Sequence, residues 1–304
     1  LSGGVDSMVL AHVLVARRGR LGGALVCAVH INYANRAESA AEGEYLRRWC
    51  SARRVPLLVR RVDEIRRGTT PREQYERESR RIRFDAYREA MAQFGAGAVL
   101  FGHHLGDLQE NVVSNVMKRA NVLDIGGIAE VSLIDGVPIW RPMLPHPKSA
   151  IYCYAHSYGV PYFKDTTPKW STRGRLRNEL LPLLASIYGE GFAGNLSALA
   201  RESARCAELL ESQLFRAFKS SVRASPLAVW FDTAPWASLP DSFWRCALRH
   251  VCEKRLGIGM VKDRAVGYLL NTVLAKQQPC FDGWLPSLRC EIHTLLSDGH
   301  LIMF

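Results

Sequence analysis

Apolar and polar positions alternate along the first half of the chain in two rhythms. Ala24 to Ile31 and Pro56 to Val62 are short apolar, β-branched runs of the kind that become buried parallel strands. Met8 to Ala16 and Glu38 to Arg53 read as helices, one before and one between those strands. Pro71 to Phe94 is the longest helical pattern, with Tyr75, Ser79, Ile82, Ala86, Tyr87, Ala90, Met91 and Phe94 at steps of three and four. Ala98 to Phe101 predicts another strand, and a helix follows that runs on from Asn115 to a break at Asp124-Ile125-Gly126-Gly127. Strand, helix and strand in succession predict an α/β fold, a doubly wound parallel sheet with ligands outside the carboxyl ends of its strands. Pro138 to Pro145 is extended, and its prolines argue against a central strand along most of its length. Tyr152 to Pro161 reads as a short helix and turn.

The rhythm changes after the glycine-rich segment Gly189 to Gly194. Asn195 to Val222 predicts one long helix. Beyond Pro226 come a short strand at Leu227 to Phe231, helices at Asp241 to Arg255 and Val261 to Ala275, and short strands within Phe281 to Phe304. This predicts a smaller α+β C-terminal domain at 226–304, joined by a linker helix at 191–225 to a first domain at 1–190. Its core is expected from Trp230, Phe231, Trp236, Phe243, Trp244 and Trp284.

With 304 residues, 48% of them hydrophobic and 23% charged, the chain can bury two cores. Its apolar runs reach about nine residues against the roughly 20 that a membrane-spanning helix needs. A formal charge of +11 points to a polyanionic partner, and Lys254, Arg255, Lys262 and Arg264 are candidates to meet an RNA backbone. The eight cysteines never fall in Cys-x-x-Cys spacing, which argues against zinc or iron–sulfur ligation and for small core residues. A reducing compartment fits them, cytoplasmic or organellar.

The sharpest motif opens the chain: Ser2-Gly3-Gly4-Val5-Asp6-Ser7, running directly into the apolar helix. The glycines allow a tight turn whose N–H groups converge where the helix dipole is positive, which suits phosphate. It is not a Walker A loop, because no Gly-Lys-Ser/Thr follows. The six residues resemble the pyrophosphate loop of the ATP-pyrophosphatase superfamily, whose members split ATP into AMP and pyrophosphate. By that resemblance the fold is adenine nucleotide alpha hydrolase-like, a strand precedes Leu1, and Ser2, Gly3, Gly4, Val5, Asp6 and Ser7 hold the phosphates, with His30 and His103 as further nucleotide contacts. Asp6 is the expected magnesium (Mg2+) ligand.

Two further blocks carry chemistry. In His103-His104-Leu105-Gly106-Asp107-Leu108-Gln109-Glu110, helical spacing puts Asp107 and Glu110 on one face near the loop mouth. An N-cap at Asp107 with Glu110 as its capping-box partner explains them equally well without function. The neighbouring histidines must diverge, which excludes a metal chelated by both. Later, Arg173, Arg175 and Arg177 precede Asn178-Glu179-Leu180-Leu181-Pro182, and guanidinium groups there oppose the helix dipole unless they meet anions.

Taken with Ser79-Arg80-Arg81-Ile82-Arg83-Phe84 and Arg141-Pro142-Met143-Leu144, these stretches resemble, in order along residues 1–190, the motifs of the tRNA(Ile)-lysidine synthetases. That resemblance implies an ATP-dependent ligase that adenylates the C2 oxygen of the wobble cytidine of an isoleucine tRNA with a CAU anticodon and then joins free L-lysine there. It implies Asp107 and Glu110 on the lysine ammonium, with Asp6, Asp107, Glu110 and Arg177 catalytic. Arg80, Arg83, Arg173 and Arg177 are the implied contacts to substrate or anions. Gly106 departs from the pattern, since many members carry an aspartate at its place. A tRNA thiolase with the same loop, and an inactive RNA-binding homologue, are the alternatives.

Overall fold

The computed structural model describes residues 1–256 except Arg36, Arg67, Arg119, Thr166, Pro226 and Leu227, together with Gly267, Asn271 and two late strands. Trp284, Lys262, Arg264, the Lys254 side chain and almost all of the expected helix at Val261 to Ala275 lie outside the described residues. The chain divides into two units, Leu1–Ala204 and Arg205–Phe304.

The first unit is built on an alternation of helices and strands. Helix α1 (Val5–Ala16) follows the loop, and β1 (Ala28–Asn32), α2 (Ser39–Ala52) and β2 (Leu57–Arg61) form a βαβ unit. Strands β1 and β2 pair in parallel, Ala28 opposite Leu57 and Asn32 opposite Arg61. The apolar run of α1 is explained by what covers it: Met8, Val9 and Leu10 pack with Leu46, Trp49 and Cys50 of α2 and with Ile151 and Ala155 of α5 (Lys148–Ser157). Met8 and Leu46 are fully buried, each worth about 1.5–3 kcal/mol of hydrophobic stabilisation. Leu1 runs beside β1, its N–H on the Val29 carbonyl.

Helix α3 (Arg72–Phe94) stops at Gly95, which is left-handed at φ 66°. Its apolar stripe buries Ile82, Phe84, Ala86 and Ala90. Strand β3 (Val99–Leu100) then delivers α4 (Leu105–Met117). That helix ends ten residues short of the expected break at Gly127, and only a short turn at Val122–Asp124 follows.

The prolines did not keep Pro138 out of a central strand. Strand β5 (Val137–Trp140) lies between β3, to which it is parallel, and β4 (Val131–Ile134), to which it is antiparallel. The two-residue turn Asp135-Gly136, with φ of 49° and 77°, joins β4 to β5, the geometry of a type I′ hairpin. In such a hairpin the pair beside the turn exchanges hydrogen bonds and the next pair does not. Pro138 is in that next pair, opposite Leu133, and β3 pairs only from Ile139 onward. Its missing N–H is therefore asked for by neither neighbour. Pro142 and Pro145 fall beyond the strand.

After α5 the chain passes a short helix α6 (Thr172–Arg175), a π turn at Leu176–Leu180, α7 (Leu181–Tyr188) and α8 (Phe192–Leu210). The long helix expected from Asn195 to Val222 is realised as α8, a second π turn at Glu211–Phe215 and α9 (Arg216–Ser221).

The second unit has a four-stranded antiparallel sheet, β6 (Arg223–Ala224), β7 (Val229–Asp232), β8 (Thr294–Ser297) and β9 (His300–Met303), in the order β6-β7-β9-β8. Helix α10 (Asp241–His250) continues into a π turn at Val251–Arg255. Phe218 is fully buried against Phe231, Trp236 and Phe243, with ring centroids 5.0, 5.6 and 5.5 Å away. Of the aromatics expected in this core, Phe231, Phe243 and Trp244 are buried, whereas Trp230 and Trp236 are half-buried.

Candidate active site

The opening loop is shaped by one close contact. Gly3 has φ +84°, and a Cβ on it would stand 2.3 Å from the Phe163 ring. Phe163 also donates its N–H to the Gly3 carbonyl at 2.9 Å. No other residue fits under that ring in that conformation. Gly4 is the N-cap of α1 and no side chain caps the helix, so the N–H groups of Val5, Asp6 and Ser7 stand available where the dipole is positive. Ser2 Oγ and Ser7 Oγ lie 3.0 Å apart, and Ser7 Oγ donates to the Gly4 carbonyl at 3.0 Å. Uncapped N–H groups with two hydroxyls beside them suit a phosphate.

Helix α4 enters the site through a cap that differs from the one its sequence suggests. His104, not Asp107, is the N-cap: its Nδ1 accepts from the Gly106 N–H at 3.0 Å, and Asp107 Oδ2 accepts from the His104 N–H at 3.0 Å. Because Nδ1 accepts, the proton of the neutral ring sits on Nε2. That nitrogen lies 3.5 Å from Asp107 Oδ2 and 3.9 Å from Asp6 Oδ1. Burial lowers the His104 pKa despite the two carboxylates, Asp107 foremost. A Cβ at Gly106 would come within 2.9 Å of the His104 ring, so glycine at this position and histidine at the cap belong together.

The capping explanation leaves Glu110 unaccounted for. Asp107 and Glu110 are buried, 6% and 4% exposed, and charges so buried require partners. Arg177 supplies them: Nε donates to Glu110 Oε1, Nη2 to Asp107 Oδ1 at 3.1 Å, and Nη1 lies 3.6 Å from Asp165. Burial works against the Arg177 charge, but the Glu110 hydrogen bond and the charges of Glu110, Asp107 and Asp165 outweigh it and hold its pKa above the ordinary value. Arg173 Nε stands 3.3 Å from Glu110 Oε2, an oxygen that makes no hydrogen bond. Arg173 reaches it from α6, which Ser171 caps by accepting from the Gly174 N–H. Arg177 reaches the acids from the π turn that follows. This explains the basic helix start: its arginines face acids.

Sequence reasoning missed Lys148. It is the first residue of α5, and its Nζ lies 2.6 Å from both carboxylate oxygens of Asp6. The signal was weak, a lysine directly after a proline 142 positions from the loop. With both Asp6 oxygens on Lys148, and no group of three or more His, Cys, Asp or Glu placed to hold a metal among the described residues, the residues present do not form a magnesium site of their own. The expectation of magnesium on Asp6 meets an ammonium instead.

The two histidines do diverge. His103 Nδ1 accepts from Arg141 Nε at 3.0 Å and its ring stands edge-on to Phe101. Arg141 is itself 3% exposed and also donates to Ala129 O and Ser132 Oγ; burial lowers its pKa. His30 is buried, with Nδ1 donating at 2.9 Å to the carbonyl of Leu1, the residue directly before Ser2 of the loop, while its Nε2 makes no hydrogen bond. Arg80 pairs with Asp135 of the hairpin turn at 2.9 Å, away from the acids. Arg83 donates to the Ser79 carbonyl and lies near Tyr33, whose pKa burial pushes up to about 12 against the pull of Arg83.

Three comparisons bear on this arrangement. A tRNA(Ile)-lysidine synthase of Chlamydia pneumoniae is 30% identical over 215 residues, 70% of this chain and 65% of that protein. One from Chlamydia felis (strain Fe/C-56) is 31% identical over 205 residues, 67% of this chain and 62% of the relative. The match thus spans somewhat under two thirds of these relatives' length. Among solved structures, the U34-tRNA thiolase NcsA from Methanococcus maripaludis superposes with a TM-score of 0.53 at 18% identity, over 68% of this chain and 71% of the other. At that identity the likeness concerns the fold, which is adenine nucleotide alpha hydrolase-like. Residues 1–184 match the PP-loop domain, and the chain belongs to the PP-loop family.

Proposed function

We propose that this chain is an ATP-dependent tRNA-modifying ligase that adenylates C2 of the wobble cytidine of tRNA(Ile) and ligates lysine there. The observation that carries the reading is the buried acid pair, Asp107 and Glu110, reached from the phosphate loop through Asp6 and His104 within a few ångströms. ATP use follows from the PP-loop family, and the names of the relatives give the rest its direction.

In this reading the N–H groups of Val5, Asp6 and Ser7 and the hydroxyls of Ser2 and Ser7 hold the β and γ phosphates. The C2 carbonyl oxygen of cytidine bonds to the α phosphorus, the bond from that phosphorus to the bridging oxygen breaks, and pyrophosphate leaves. The ε-amine of lysine then attacks C2, and AMP departs with the former carbonyl oxygen. Unactivated cytosine has no leaving group at C2, and AMP supplies one. Glu110 Oε2, buried and without a hydrogen bond, receives the lysine ammonium and takes its proton as the amine attacks. Arg177, hydrogen-bonded to both Asp107 and Glu110, fixes their positions for that task, and Arg173 steadies the phosphate of AMP. The positive balance of the chain suits tRNA.

The test is the full chain with tRNA, ATP and labelled lysine, scored by incorporation into tRNA and by the mass of the modified nucleoside. Release of AMP and pyrophosphate without lysine uptake removes the lysine half of the reading. Absence of tRNA-dependent AMP release removes the whole.

A further inference from the structure

The loop contains no lysine, and none occurs in the chain before Lys118. We propose that Lys148, delivered by α5, is the cation of the pyrophosphate site, contacting the phosphates that leave and shielding them from Asp6. The inference rests on the ATP reading above and adds a residue to it.

Three observations converge. An ammonium has three N–H donors, and the two short contacts to Asp6 account for two of them. The third remains for a phosphate oxygen. Lys148 is also anchored rather than waving: it opens α5, its Nζ lies 5.4 Å from the Tyr152 ring centroid, and its side chain is about one third exposed. Finally, Asp6 sits in the first turn of α1, at the mouth of the cradle formed by the loop N–H groups. Left alone, that carboxylate repels the polyanion which the N–H groups attract. Lys148 cancels it and brings α5's own positive end, which no side chain caps. A P-loop does the same work with a lysine inside the loop; here the charge comes from a second helix.

The experiment is titration calorimetry of the full chain with inorganic pyrophosphate, ATP and AMP, in the absence and presence of magnesium. Variants are Lys148→Met, Lys148→Arg, Asp6→Asn and the double variant Asp6→Asn with Lys148→Met. Lys148→Met is expected to weaken pyrophosphate and ATP by about ten- to hundredfold, the size of one charge-assisted hydrogen bond, with AMP affinity and thermal midpoint little changed. Lys148→Arg retains most of the affinity. Asp6→Asn tightens magnesium-free pyrophosphate, and the double variant binds it more tightly than Lys148→Met but more weakly than Asp6→Asn, because the repelling carboxylate is gone and the lysine contact is still missing. If the parent chain binds pyrophosphate and Lys148→Met binds it equally well, the inference falls while the ATP reading stands. Loss of AMP affinity and thermal midpoint together in Lys148→Met, with Asp6→Asn weakened as well, assigns the pair to structure and also overturns it. If the parent chain binds neither ATP nor pyrophosphate, the ATP reading itself is wrong.

Discussion

Arg177 holds Asp107 across 70 residues of sequence, its Nη2 3.1 Å from Oδ1, while the same guanidinium donates through Nε to Glu110. One planar fork thus serves two buried acids on a single turn of α4. Two carboxylates this buried need a charged partner. The arginine supplies it to both at once, and an incoming ammonium shares carboxylates that are already partnered.

Replacing Arg177 with methionine is expected to destabilise the fold by about 2–3 kcal/mol. That is below the ~3–5 kcal/mol for breaking a fully buried pair, because Arg177 is 29% exposed while its partners are not. Denaturant titration measures this, and adding Glu110→Gln to the variant should restore part of the loss, since one uncompensated charge is removed. Arg177→Lys should recover little, because a point charge cannot reach both acids as the fork does. A lysine variant as stable as the parent would mean that Arg177 acts on one acid only.

Gly106→Ala tests the bond between the departure from the family pattern and the cap. The new Cβ meets the His104 ring at 2.9 Å, so the imidazole must leave the Gly106 N–H and the start of α4 loses its cap, about 1 kcal/mol. With His104→Ala already in place the same substitution has nothing to displace. The two changes are expected to be less than additive in a double-mutant cycle. Additivity would show that the ring and residue 106 do not meet.

The elements of the first unit were legible because their rhythm is strong: a buried stripe on α3 and apolar runs at β1 and β2. Asp135-Gly136 between two apolar runs announces the hairpin, but the prolines that follow argue for an extended segment outside the sheet and mask its second strand. Which pair Pro138 occupies in the ladder decides whether its missing N–H matters, and that depends on a register no local pattern displays. Spacing and resemblance point to the acid pair and Arg177, but no local pattern displays the hydrogen bonds that join them. Lys148 and Arg141 meet their partners only once α5 and β5 are packed.

Arg80 and Arg83 separate in what they do. Arg80 pairs with Asp135 on an exposed surface, worth at most about 1 kcal/mol. Arg83 has a carbonyl partner and lies by Tyr33, beyond the strand end of β1. Filter binding of tRNA at fixed salt should show Arg83→Ala weakening affinity more than Arg80→Ala, with a smaller salt slope in the first. Equal losses would return Arg80 to the substrate side.

Acid should loosen the first unit as the pH falls below the ordinary histidine value of about 6.5. Burial lowers the pKa values of His30, His103 and His104 below the ordinary 6.5. In the unfolded chain these rings protonate as pH falls through about 6.5, whereas the folded chain must keep them neutral. The unfolded state then binds more protons, so stability is full above that value and falls as pH drops below it. Each such ring contributes a slope approaching about 1.4 kcal/mol per pH unit until its folded pKa is reached. Asp165, held low by the Thr167 N–H and Arg177 against the effect of burial, affects only a more acidic window, below its ordinary 3.8. His104→Asn keeps a side chain able to cap α4 and removes one titrating ring. Unfolding free energies at pH 7.5, 6.5 and 5.5 should therefore give a shallower acid limb for this variant, with the parent's value nearly kept at pH 7.5. Parallel limbs would place the proton uptake elsewhere and leave His104 as a cap alone.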